Sequence, residues 1–96
     1  MKFEISVKAQ HDLEEIWLYT FQNWSIEQAD RYLNLIFDEI HYLSENPLAG
    51  RDYSELRKKY RCSKVKSHLI FYRTTDSSII EVIRILHERM DLEEQL

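Results

Sequence analysis

The chain contains one glycine, one proline and one cysteine in 96 residues. With Gly50 as its only glycine it has no glycine-rich phosphate loop, because such a loop needs several positions where bare backbone can close around an anion. With Cys62 as its only cysteine it has no internal disulfide framework. A lone cysteine inside a β-rich run reads as a small buried residue. The histidines, His11, His41, His68 and His87, fall in separate segments without ligand spacing, so neither a metal centre nor a cofactor is expected. No apolar run approaches the roughly 20 residues of a membrane span. Met1-Lys2-Phe3-Glu4 leads into alternation, not into the apolar stretch of a signal peptide, so a reducing cytoplasm is the expected compartment. With no repeat, low-complexity segment or linker, residues 1–96 read as one domain able to bury one core.

What the chain does have is charge in blocks. Its net charge of −4 divides into −6 over residues 1–50, +6 over residues 51–73 and −4 over residues 74–96. A basic band between acidic ends suits nucleic acid or an acidic protein. It equally suits a solvated loop and edge strand, where lysines discourage sheet-to-sheet pairing.

The chain also has dense β-forming residues near its end. Residues 67–73 and 79–87 read as two strands joined by a polar turn at residues 74–78, rich in β-branched and aromatic side chains. Simple alternation puts His68, Ile70 and Tyr72 on one face of the first strand and Leu69, Phe71 and Arg73 on the other. In the second it groups Ile80, Val82, Arg84 and Leu86 against Ile79, Glu81, Ile83, Ile85 and His87. Both faces are largely apolar, as in central strands covered on both sides. Tyr60–Val65 reads as a third strand, and residues 52–59 as a helical turn or a basic loop.

The first half alternates from Lys2 to Val7 as a half-buried strand, then changes period. Ala9, Leu13, Ile16, Trp17, Thr20 and Trp24 form one helical stripe, with Asp12, Glu14 and Glu15 opposite or flanking it. Ser25 restarts the chain with a capping pattern, and Trp24 is placed to staple onto Ala29. A second helix carries Ala29, Leu33, Ile36, Ile40 and Leu43 and ends at Asn46-Pro47. The expected architecture is α+β: an N-terminal strand, then an antiparallel two-helix hairpin packed on a mainly antiparallel, C-terminal three-stranded sheet. Ile36, Ile40, Phe71 and Ile83 are expected to be fully buried between hairpin and sheet.

Leu18, Tyr19, Leu35 and Tyr42 lie off the two stripes. Either they pack on each other at the hairpin margin, or they form a second apolar surface kept for a partner. The strand end at His87-Glu88-Arg89-Met90-Asp91 gathers polar groups where function is commonly grafted onto a scaffold. A Cys62–His87 nucleophilic pair is one chemical option. RNA cleavage through Arg57, Lys58, Arg61, Arg84 and His87 is another, since such a site needs a base, an acid and cations for the developing charge.

Several segments, in order, resemble ParE toxins of the RelE/ParE toxin–antitoxin superfamily. They are Ala9…Asp12-Leu13…Ile16, Gln28-Ala29…Tyr32, Leu43…Asn46-Pro47…Gly50-Arg51, Glu55-Leu56-Arg57, Tyr60-Arg61, residues 67–73 and Val82-Ile83-Arg84-Ile85-Leu86-His87…Met90-Asp91. The resemblance spans nearly the whole chain and implies a helical hairpin on an antiparallel sheet. It further implies inhibition of DNA gyrase and neutralisation by a ParD-like antitoxin, in a hetero-oligomer. The ribosome-dependent RNases of the superfamily carry an arginine where this chain has Leu69. They often end in a catalytic tyrosine, and no tyrosine follows Tyr72 here. A gyrase inhibitor that is not itself an enzyme is therefore the leading reading. Arg84, His87, Arg89 and Asp91 would face the target, and Leu18, Tyr19, Leu35, Tyr42, Arg57 and Arg61 the antitoxin. An mRNA endonuclease using Arg57, Arg61, Arg84 and His87 is the alternative. A decayed toxin that only binds its antitoxin is a third reading.

Overall fold

The computed structural model describes residues 3–96. Its elements are β1 (Phe3–Ile5), α1 (Val7–Asn23), α2 (Ile26–Glu45), β2 (Arg51–Asp52), β3 (Arg61–Val65), β4 (His68–Thr74), β5 (Ile80–His87) and α3 (Leu92–Gln95). The sheet is wider than expected, with five strands in the order β1-β5-β4-β3-β2. β1 lies parallel to β5, and the other pairs are antiparallel.

The first strand is shorter than its alternation suggests. Lys2 lies outside the described residues, and Val7 already belongs to α1. Ser6 ends the strand: its hydroxyl accepts from the Ala9 N–H at 3.0 Å and donates to the Ile83 carbonyl at 2.7 Å. A cap that satisfies an orphan helix donor outweighs one more alternating residue. Ser25 caps α2 as expected, accepting from the Gln28 N–H at 3.1 Å. Trp24 does not act as a staple. It is 63% exposed and lies beside Tyr19, with ring centroids 6.3 Å apart.

The hairpin buries Ala9, Leu13, Ile16, Ile36, Ile40 and Leu43 against Ile70, Tyr72, Ile80, Val82 and Ile85 of the sheet. The opposite face holds a smaller cluster, Cys62, Phe71 and Leu86, covered by Tyr53, Leu69 and the Leu92 and Leu96 side chains of the tail. Two expectations need correcting. Phe71 is fully buried, but on the tail side of the sheet and not under the hairpin. Ile83 is only half-buried, because Phe71 pairs with Arg84 while Tyr72 pairs with Val82. The residue left over is a β-bulge, and beyond it the in–out alternation is reversed. That is why Val82 and Ile85 share one core while Arg84 and Leu86 belong to the other side.

The loop after α2 is fixed by Tyr72, whose hydroxyl donates to the Pro47 carbonyl at 2.8 Å and accepts from the Gly50 N–H at 2.9 Å. A side chain at Gly50 would meet the Tyr72 ring, with Cβ 2.7 Å from Cε1. The glycine is required by this close approach.

Candidate functional site

β4 starts and β5 ends at the same rim of the sheet, with His68 directly opposite His87. Their rings meet edge to face, centroids 5.2 Å apart. The turn between α1 and α2 overhangs this rim and leaves a cleft of about 850 Å³ beneath it. Ile16, Tyr19 and Trp24 form the wall from the α1 side, Tyr32 and Leu35 that from α2, and Ile85, His68, His87 and Met90 the floor. Tyr19, Trp24, Leu35 and Met90 are all more than a third exposed. That is an open apolar surface of the kind that marks an interaction site.

The floor is ordered by hydrogen bonds. Tyr32 Oη lies 2.6 Å from His68 Nδ1 and 3.2 Å from the Val65 carbonyl. Burial pushes the Tyr32 phenol above its ordinary value. Burial, helped by neighbouring His87, holds the His68 imidazole below its own. His87 Nδ1 accepts the Arg89 N–H at 3.1 Å, and the Asp91 carboxylate accepts the Glu93 N–H at 3.1 Å as the cap of α3. His87 and Asp91 thus fix the terminal turn separately.

One side of the cleft is anchored by Asp12, which the helical stripe alone places at its margin but which is buried. Its carboxylate takes Arg84 Nε at 2.8 Å and Nη2 at 3.0 Å, and also the Ile85 N–H at 2.9 Å. β1 pairs with β5 only as far as Val82, so the helix carboxylate serves the edge of β5 where no strand does. Arg84 reaches the tail as well, donating from Nη1 to the Gln95 carbonyl at 3.1 Å.

Three of the four arginines foreseen as catalytic or partner-facing are already engaged. Arg57 donates twice to the main-chain oxygen of Leu96, at 2.9 and 2.6 Å. Arg61 donates to the Gly50 carbonyl at 2.7 Å. Arg84 is held by Asp12, with its side chain 16% exposed. Within the basic band, Lys64 pairs with Glu88 at 2.8 Å and Arg73 with Glu81 at 3.0 Å. By contrast Arg31 and Lys66, which line the cleft, have no carboxylate in ion-pair range among the described residues.

Of the six residues foreseen for an antitoxin, Tyr19 and Leu35 line the cleft. Leu18 and Tyr42 are exposed elsewhere on the hairpin, and Arg57 and Arg61 hold the tail and the loop. Of the four foreseen for a target, His87 lines the cleft, next to Met90. Arg89 and Asp91 are exposed beside it. Of the other lining residues, Lys66 was foreseen only as part of the basic band, and Arg31, His68 and Trp24 were not singled out for the site. Arg31 offers the one usable signal, since it precedes off-stripe Leu35 by one helical turn. Cys62 does not serve as a nucleophile: it is buried under the tail, and burial pushes its thiol up to about 11, far from a thiolate at neutral pH.

A hairpin laid on a mainly antiparallel sheet thus carries an apolar cleft with cations at its rim, the kind of surface that marks an interaction site. Residues 3–92 match the family described as ParE toxin of the type II toxin–antitoxin system parDE, and the chain belongs to that family. Toxin ParE1 of Mycobacterium tuberculosis is 40% identical over 99% of this chain and 97% of its own length. Toxin ParE1 of Caulobacter vibrioides is 36% identical over 93% of this chain and 91% of its own. A solved structure titled a chromosomal ParDE system from P. aeruginosa superposes with a TM-score of 0.78. It is 21% identical and covers 91% of this chain and 95% of that one, a likeness of fold.

Proposed function

We propose that this ParE-family toxin inhibits DNA gyrase in the cytoplasm and that a ParD-like antitoxin neutralises it by filling the cleft. The observation that carries the reading is the composition of the cleft. Apolar Tyr19, Trp24, Leu35 and Met90 lie there beside Arg31 and Lys66, which have no internal anion within ion-pair range among the described residues. An acidic antitoxin segment bearing leucines matches both features, and a flexible one could order itself on contact. The target surface runs from His87 through Arg89 and Asp91 to the tail. Because His87 also lines the cleft, an occupant there overlies one end of that surface, which makes neutralisation a matter of occlusion. A ribosome-dependent nuclease is disfavoured by Leu69 at the position of its arginine, and by the engagement of Arg57, Arg61 and Arg84 with internal acceptors.

The test uses the purified chain. Gyrase supercoiling should be inhibited, translating ribosomes should show no mRNA cleavage, and a ParD-like partner should relieve the inhibition. Codon-specific mRNA cuts with supercoiling untouched would replace this reading with the nuclease.

A further inference from the structure

The floor of the cleft has more chemistry than an apolar docking surface needs. His68 and His87 are its two imidazoles, and their hydrogen bonds assign them different roles. His87 Nδ1 accepts the Arg89 N–H, so the neutral ring carries its proton on Nε2 and offers it as a donor. His68 is held through Nδ1 instead. With Tyr32 Oη donating to the Val65 carbonyl, His68 Nδ1–H can donate to the same phenol oxygen, so a doubly protonated His68 keeps both contacts. His87 thus presents Nε2–H, and His68 can take up a charge without losing its contacts.

We propose that the His68–His87 pair is the seat for a carboxylate of the segment that fills the cleft, His87 donating from Nε2 while His68 takes up one proton from water. The proposal rests on the cleft being the antitoxin's docking site and specifies what that antitoxin presents there. The surrounding charges are compatible with it. From α2, Arg31 and Tyr32 face the pair, and Lys66 faces it from the turn between β3 and β4. From α1 come Asp12, neutralised by Arg84, and Glu15, which opposes an incoming anion. Beyond β5, Glu88 is neutralised by Lys64, and Arg89 adds a positive charge. Burial holds the His68 imidazole below its ordinary value, and a carboxylate against it favours the charged form.

The probes are a capped peptide of leucine and glutamate and its counterpart with glutamine at every glutamate. Binding and the ring signals of both histidines are followed by NMR from about pH 7.5 to about pH 5.5, spanning the ordinary histidine range. The glutamate peptide should raise the His68 pKa by about one unit and bind up to about tenfold tighter at the acidic end. The glutamine peptide should show neither effect. His68→Gln should flatten the pH slope for the glutamate peptide, and the glutamine peptide repeats that comparison on the unaltered chain. If both peptides bind alike with the His68 signal unmoved, the carboxylate seat is refuted and the docking site stands. If neither binds, the docking reading fails, and the seat with it.

Discussion

Replacing Asp12 with alanine tests the largest electrostatic commitment in the fold. The change removes three acceptor contacts at once: Arg84 Nε, Arg84 Nη2 and the Ile85 N–H. Removing one partner of a buried ion pair costs about 3–5 kcal/mol, mostly because the other charge is left without compensation. Here Arg84 retains the Gln95 carbonyl and 16% side-chain exposure, which favours the lower end for the pair. The Ile85 N–H, cut off from water, raises the total again, an unmade buried bond costing about 1–3 kcal/mol. A loss of about 4 kcal/mol is expected, a large part of the roughly 5–15 kcal/mol of a small domain. At about 4–8 °C per kcal/mol this lowers Tm by roughly 15–30 °C. Urea unfolding followed by the fluorescence of Trp17 and Trp24 measures it. Arg84→Met should be costly too, since it leaves the carboxylate with one donor. The double variant Asp12→Leu with Arg84→Met should lose less than the two single losses added together. Additive losses, or less than about 1 kcal/mol for Asp12→Ala, would refute the claim that this pair ties α1 to β5.

Four other outcomes are expected. Gly50→Ala forces a methyl group against the buried Tyr72 ring and should cost about 1–3 kcal/mol in thermal unfolding, as overpacking does. His68 titrates below its ordinary value in the fold, so the unfolded chain takes the proton first. Stability is full above the unfolded value of about 6.5 and is lost as pH falls through the folded value; His68→Gln should remove that slope from a Tm-against-pH series. Deleting residues 92–96 uncovers Cys62 by removing Leu92 and Leu96, so its alkylation should accelerate at least about tenfold, read by mass spectrometry. The same truncation should reduce gyrase inhibition more than antitoxin binding.

The parts of this fold legible in the sequence are those whose signal is local. The stripe through Ile36 and Ile40, the cap at Ser25 and the stop at Asn46-Pro47 each need only a few neighbouring residues to be read. The bulge opposite Phe71 and Tyr72 leaves no such trace. Its strand is apolar on both faces, so alternation cannot reveal where the phase slips, and Ile83 is assigned to a core it does not belong to. The basic band misleads for a related reason. Residue counts give +6 over residues 51–73, but Arg57, Arg61, Lys64 and Arg73 all find acceptors within the fold.

Asp12 shows the limit most clearly. On the helix it is an acid flanking an apolar stripe, and the partner that makes its burial tolerable lies 72 residues away on β5. Arg84, one of the residues expected to face a target or cleave RNA, interrupts an apolar strand. A charge in an apolar run needs a counter-charge wherever it ends up, and Asp12, beside the stripe that covers this sheet, can supply one without leaving its helix. The two anomalies explain each other only when read as a pair. What stays illegible is the cleft, because Tyr19, Leu35, Lys66 and His87 belong to four separate segments, and only the overhang of the α1–α2 turn across the sheet rim brings them together.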